Sequence, residues 1–239
     1  MIRYSFAFAD GSHAGFCVDE KAPVVSAPCG SEELPAWMDL DKFRCPHCPL
    51  TRSKHMACPA FESILLTIKS FGHRVSCDPC DLTVEQNGVT HKAHTSIQNA
   101  ARSLIGLQLA LSACPTMRRL RPLALFHRPL ANTDETIFRV FGMHMLKQYF
   151  RHSKGEPADW SLTELQALYR DIRNVNRQLA KRIRAASHKD AAVNSLVILD
   201  AFAHEVEYNI ETKLEQLAPY FASSEAPRKA EAHPSHHRS

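Results

Sequence analysis

Four of the eight cysteines, Cys45, Cys48, Cys58 and Cys114, are followed directly by proline, whereas Cys17, Cys29, Cys77 and Cys80 are not. With 14 prolines in 239 residues, chance would give about half a Cys-Pro pair in the whole chain, at a proline share near the ~5% of average proteins. The four therefore read as one group. Cys45-Pro-His-Cys48 brings two thiols together through a local turn, and Cys58 falls at the start of a helix, whose partial positive charge favours thiolate. Cys114 returns at the end of another helix. The spacing is C-x2-C-x9-C with one distant member, a donor set that suits either a [4Fe-4S] cluster or zinc. Ribbon-type zinc knuckles commonly place glycine after the second cysteine because the backbone there takes positive φ. Pro49 stands in that position and cannot do so. The pattern thus points first to [4Fe-4S], then to zinc, and last to four buried thiols.

Cys77-Asp-Pro-Cys80 is a second C-x2-C pair, open to a redox or metal reading, but no further pair completes it. Downstream of Cys114 lie Arg118, Arg119, Arg121, His127 and Arg128, followed by Glu135 and Arg139. Here Arg121, His127, Glu135 and Arg139 form the candidate catalytic set: a basic pocket for an anion, with His127 to move a proton. The bland alternative is helix-end residues paired with carboxylates. Arg170, Arg173, Arg177, Lys181 and Arg184 recur every three or four residues as a basic ridge that nucleic acid could follow. The acidic last helix, with Asp190, Asp200, Glu205, Glu207, Glu211 and Glu215, offers the same ridge an internal partner. Asp200, His204, Glu207 and Glu211 share one helix face, yet the Glu-x-x-His pairs of carboxylate-bridged metal sites are missing. So are a phosphate-binding glycine loop, a Gly-x-Ser-x-Gly elbow and a His-Glu-x-x-His motif.

These residues need elements to hold them. Ile2, Tyr4, Phe6 and Phe8 alternate into Asp10-Gly11 and a return at Phe16–Val18, which predicts a β-hairpin. Asn87-Gly88 between Asp81–Gln86 and Val89–His94 predicts a second hairpin in the same sheet. Phe61, Ile64, Leu65, Ile68 and Phe71 predict a helix with Cys58 at its N-cap and Pro59 in its first position. Thr95–Ala113 predicts another, stopped by Cys114-Pro115. From Pro129 onward only helical patterns occur. One runs from the capping box Asn132–Glu135 to about Phe150; a second starts at the box Ser161–Glu164 and carries Leu165, Leu168, Ile172, Val175, Leu179 and Ile183; a third starts near Asp190. The expected fold class is α+β: a small antiparallel sheet of two hairpins with helices and the four-cysteine site over 1–129, then a three-helix bundle over 130–222. A disordered tail is expected over 223–239, which is rich in Ala, Pro, His and Ser.

The motif order Tyr4-x-Phe6-x-Phe8-x-Asp10-Gly11, Cys45-Pro-x-Cys48-Pro-Leu50, Cys58-Pro59, Ser103-Leu-x-Gly106, Cys114-Pro115, Arg121-Pro122, Phe126-His127-x-Pro129, Glu135-Thr136, Gln148-Tyr-Phe150 and Leu196-Val-x-Leu199-Asp200 resembles an uncharacterised family of bacterial hypothetical proteins over nearly the whole chain. The resemblance implies that Cys45, Cys48, Cys58 and Cys114 belong together. It reaches neither Cys77 nor Cys80, and it supplies no activity.

With 44% hydrophobic residues and a net charge of +4, the chain can bury a real core without disulfides, and its charge names no partner. The alternation of Met1–Ala9 is unlike a secretory signal, and Leu104–Ala113 is too short for a bilayer span. A reducing cytoplasmic setting without membrane contact is expected, in which cysteines serve metals more often than disulfides. The leading expectation is a non-catalytic iron-sulfur protein of redox-responsive, iron-responsive or scaffolding type with a protein partner. A structural zinc module, with nucleic acid as a partner of the basic ridge, is the alternative, and an enzyme built around His127 comes last.

Overall fold

Alternation of apolar and polar residues at period two lays out the first layer. Phe6 and Phe8 of β1 (Ile2–Phe8) point to one side of the sheet together with Ile2 and Tyr4, and all four are buried. β2 (His13–Val18) pairs antiparallel on one side of β1, and β3 (Pro79–Gln86) pairs antiparallel on the other, with β4 (Val89–Ser96) outermost, giving the order β2-β1-β3-β4. The register sets Tyr4 opposite Val84, Phe6 opposite Leu82 and Phe8 opposite Cys80, so one face is continuously apolar. Asn87 and Gly88 at the β3–β4 turn have φ of 51° and 78°, the left-handed pair that a type I′ turn requires. The computed structural model describes residues 1–21, 36–186 and 190–222. The expected disordered tail, Cys29 and much of the Pro-rich stretch after β2 lie outside them.

Helix α1 (Pro59–Phe71) follows the predicted bounds. Its Phe71 meets Phe6, Phe8 and Phe16 at centroid distances of 5.0, 6.2 and 5.8 Å, closing an aromatic cluster over the sheet. Helix α2 (Ile97–Leu111) packs beside α1, and the two share a buried hydrogen bond in which the Thr67 hydroxyl donates to Gln108 Oε1 at 2.9 Å. It stops before the predicted Ala113 because Ser112 turns extended and its hydroxyl donates back to the Leu109 carbonyl. A short 3₁₀ turn (Met117–Leu120) and helix α3 (Arg121–Leu125) follow.

Helix α4 (Thr133–Ser153) begins with the full capping box: the Asn132 side chain accepts from the Glu135 N–H, and the Glu135 side chain accepts from the Asn132 N–H. Helix α5 (Thr163–Ala186) starts differently from the sequence expectation. Asp159, not Ser161, accepts the N–H groups of Thr163 and Glu164. Leu162, with φ of 62°, folds the chain back so that the more distant carboxylate reaches the helix end. A carboxylate serves this position better than a hydroxyl because it carries full charge against the helix dipole. Helix α6 (Ala191–Leu217) packs along α5 and against α2, and a short helix α7 (Pro219–Ala222) ends the described chain. The result is α+β, a single antiparallel sheet with a helical C-terminal region. One apolar core runs without a break from Tyr4 and Phe61 through Leu104 to Leu165, Ile183 and Val206. No described helix is long and apolar enough to cross a membrane.

Candidate metal centre

Three separate elements deliver the four Cys-Pro cysteines to one pocket. The Cys45–Cys48 turn closes with the Cys48 N–H donating to the Cys45 carbonyl at 3.0 Å. Arg44 fixes the turn from outside by donating to the Cys48 carbonyl at 3.1 Å, and it also donates to that of Leu50. Cys58 is the N-cap of α1 with extended backbone (φ −76°, ψ 114°), as proline in the next position demands. Its side chain makes no cap hydrogen bond, but the N–H groups of Ala60 and Phe61 at the helix start draw its thiol downward against burial. Cys114 is in a similar setting, where the N–H groups of Met117 and Thr116 draw its thiol downward against burial. All four cysteines line a small cavity of about 20 Å³, closed on the far side by Val175, Leu179 and Arg182 of α5. His47 ties the turn to its surroundings, with Nε2 3.1 Å from the Thr116 hydroxyl and Nδ1 3.5 Å from Asp171 of α5.

Every pairing of the four thiols interacts electrostatically. Burial pushes Cys45 up to about 12, with the charges of Cys58, Cys114 and Cys48 adding to it, and pushes Cys114 up to about 11. Burial raises Cys58 as well. Cys45, Cys58 and Cys114 are therefore not activated nucleophiles, whose thiols are depressed. Among the described residues, no three His, Cys, Asp or Glu side chains are gathered so as to hold a metal ion. A tetrahedral zinc site needs sulfurs about 3.8 Å apart, from Zn–S bonds of ~2.3 Å. The four thiols surround a common point without the closeness of a single-ion site.

Arg182 is the residue that sequence reasoning missed. It is 1% exposed, and its guanidinium donates to the carbonyls of Trp37 at 2.9 Å, Asp39 at 2.6 Å and Leu40 at 3.1 Å. Its Nε has no hydrogen-bond partner, and no carboxylate among the described residues pairs with it. Its positive charge acts instead on Cys45 and Cys58, drawing their thiols downward against the effect of burial. The signal was available in the chain. Arg182 follows Val175 by seven residues and Leu179 by three, a core position on the apolar stripe of α5, whereas the basic ridge occupies the other face.

The remaining cysteines among the described residues stand apart from this pocket. Cys17 is exposed on β2, Cys77 is exposed, and Cys80 is buried within β3 under the apolar face of the sheet. The candidate catalytic residues also separate. His127 and Arg139 line one cavity, but Arg139 donates to the carbonyls of Leu123 at 2.7 Å and Phe126 at 2.6 Å, Arg121 reaches the Lys21 carbonyl, and Glu135 serves the α4 cap and a 3.5 Å pair with Arg128. His127 Nε2 is hydrogen-bonded to the buried Tyr4 hydroxyl, and burial, then the charges of Arg139 and His91, lowers the imidazole to about 3. An imidazole held neutral in this way cannot cycle a proton near pH 7.

The basic ridge takes its internal option along α6. Arg170 and Arg173 pair with Glu207 at 3.2 and 2.6 Å, while Arg173 and Arg177 lie 3.8 Å from Asp200. Only the far end, at Lys181 and Arg184, is left exposed without an ion pair among the described residues. The same pairs occupy the acidic face that carries Asp200 and Glu207, with the His204 ring tilted against Tyr208 at a centroid distance of 4.7 Å.

Fold and site together define an α+β protein whose four Cys-Pro cysteines, contributed by a turn and two helix ends, share one pocket with a buried arginine. Residues 2–222 match a family described as a domain of unknown function, DUF6901, and the chain belongs to that family. No curated protein and no solved structure matches it.

Proposed function

We propose that the protein is a cytoplasmic metal-thiolate protein in which Cys45, Cys48, Cys58 and Cys114 hold a [4Fe-4S] cluster in a redox- or iron-responsive, non-catalytic role. The observation that carries this reading is Arg182. A guanidinium removed from water without a carboxylate partner is costly, and here its charge acts on Cys45 and Cys58, two thiols of the pocket it lines that can become anions. Four thiolates bound to zinc or to an oxidised cluster carry a net charge of −2, the countercharge Arg182 otherwise lacks. The backbone N–H groups that lower Cys58 and Cys114 support the same reading, since N–H dipoles near cluster sulfurs stabilise their negative charge and tune the potential. The donor chemistry therefore fits the group. The cluster, when bound, would supply one-electron chemistry or sensitivity to oxygen. The chain's own residues hold the thiols, cover them with proline and leucine, and neutralise their charge.

Zinc is the second reading, favoured by the size of the cavity, since about 20 Å³ is room for roughly one water-sized occupant. A cluster requires the Cys45–Cys48 turn to stand further out. In either case the centre would join the first turn to α1 and to the end of α2, and partners would meet the protein through surfaces away from the buried pocket. The test is metal analysis and the visible spectrum of anaerobically purified protein. Close to four irons with a broad band near the blue end that bleaches in air supports the cluster; one colourless zinc per chain supports the alternative; protein free of both after anaerobic purification and reconstitution rejects a metal centre.

A further inference from the structure

A second cavity lies against α5 on residues other than those that face the thiols. It measures about 370 Å³, within the ~300–1,000 Å³ of small-molecule sites. Its walls come from α2, α3, α4, α5 and α6 and are apolar over most of their extent, with Leu107, Leu120, Ile172 and Phe202 among them. Two polar groups on this wall lack partners. Asn176, 2% exposed, has an Oδ1 with no hydrogen bond. Arg102 has a buried Nε with no hydrogen bond, and no carboxylate among the described residues pairs with its guanidinium. Desolvation already disfavours its charged form. Glu205 lines the same space but makes no ion pair with it. Arg139 also lines the cavity, but the Leu123 and Phe126 carbonyls take up its guanidinium. Arg128 is turned to Glu135 at 3.5 Å.

Proteins do not ordinarily leave a guanidinium nitrogen and an amide oxygen buried and unsatisfied on the wall of an apolar cavity, because each unpaired atom keeps its desolvation cost. A ligand that brought an anion to Arg102, a hydrogen-bond donor to Asn176 and an apolar body to the remaining wall would satisfy all three features at once. The larger groove beside α4, about 690 Å³, lacks this combination. Its Lys147 and Arg151 are already paired with Glu164 at 2.9 and 2.5 Å.

We propose that this cavity binds a small organic carboxylate with an apolar body, its carboxylate on Arg102 and its chain between α2 and α6. Asn176 sets the orientation by accepting from a hydroxyl or amide on ligands that carry one. The site stands apart from the proposed cluster and needs no metal.

The test is isothermal titration of the full chain with butyrate, hexanoate and octanoate and with the corresponding amides. Binding of the acids is expected, with affinity rising about three- to fourfold per added methylene as each ~0.8 kcal/mol is buried, and the amides at least tenfold weaker. Arg102→Gln should weaken hexanoate at least tenfold, while Lys154→Gln, on the rim of the α4 groove, should leave it unchanged. Amides binding as tightly as acids, or no acid binding at millimolar concentration, overturns the proposal. So does unchanged binding in a folded Arg102→Gln or loss in Lys154→Gln. If Arg102→Gln does not fold, the comparison of acid with amide on the parent protein still decides the matter.

Discussion

Replacing Arg182 separates the two things this residue does. Its guanidinium holds three carbonyls, those of Trp37, Asp39 and Leu40, and it places a positive charge beside the thiols of Cys45 and Cys58. Arg182→Met leaves those carbonyls without their donor and also removes a buried charge. Hydrogen bonds from a charged donor contribute about 1.5–3 kcal/mol each, and the relief of burying a cation offsets part of the loss. A net cost of about 3–6 kcal/mol is expected, a large share of a typical stability of ~5–15 kcal/mol. At ~2–4 °C per kcal/mol for a chain of this size, the Tm should fall by about 6–24 °C. The metal content should fall with it, because the anionic centre loses its countercharge. Arg182→Lys keeps the charge but cannot span all three carbonyls, so it should retain most of the metal while losing part of the stability. Thermal unfolding and metal stoichiometry of parent, Arg182→Met and Arg182→Lys measure both effects. An Arg182→Met protein with full metal and a Tm within about 2 °C of the parent would refute the reasoning.

Cys114→Ser should give poorly folded protein with little metal, since one ligand of a crosslink between a turn, α1 and the end of α2 is lost, whereas Cys17→Ser on exposed β2 should match the parent in Tm and metal; equal behaviour of the two removes Cys114 from the ligand set. Glu164 is held at about 2, below its ordinary 4.5, by Lys147 and Arg151. With a depressed folded value its contribution is fully present above pH 4.5 and is lost as pH falls towards 2. The carboxylate is 38% exposed, so screening limits Glu164→Gln to about 0.5–1 kcal/mol at neutral pH; denaturant melts should show that gap closing in acid and shrinking in 1 M salt, and a gap that widens in acid contradicts the assignment. His127, lowered to about 3, should show no ring-proton shift in NMR titrations from pH 8 to pH 5. Its neutral form stabilises the fold above the ordinary value near 6.5, and that contribution falls away as pH drops towards 3; a titration midpoint near 6.5 would show that the Tyr4–His127 contact is open to water.

Local chemistry in the chain was enough for the two hairpins, the five long helices and the grouping of the cysteines, but not for the 3₁₀ turn, α3 or α7. Positive φ at Asn87 and Gly88 is affordable only to such residues, so the second hairpin could be placed before its strands were seen. Pro59 forces an extended Cys58 and opens α1, and the reciprocal hydrogen bonds of Asn132 and Glu135 are set by a three-residue spacing. The shared Cys-Pro context joined Cys114 to three thiols at least 56 residues earlier, and the fold does bring all four to one pocket. Other features depended on contacts between residues far apart in sequence. The spacing pointed to Ser161 as the cap of α5, and the sharp turn at Leu162 brought the Asp159 carboxylate there instead. The basic ridge was open to nucleic acid or to α6 until packing set Arg173 against Glu207. Arg182 meets Leu40 from 142 positions away, and Arg102 and Asn176 share a cavity wall only because five helices close around it. A local spacing fixes dihedral angles within a few residues, but the partner of a buried charge is decided by which distant element packs beside it, and that requires the folded chain.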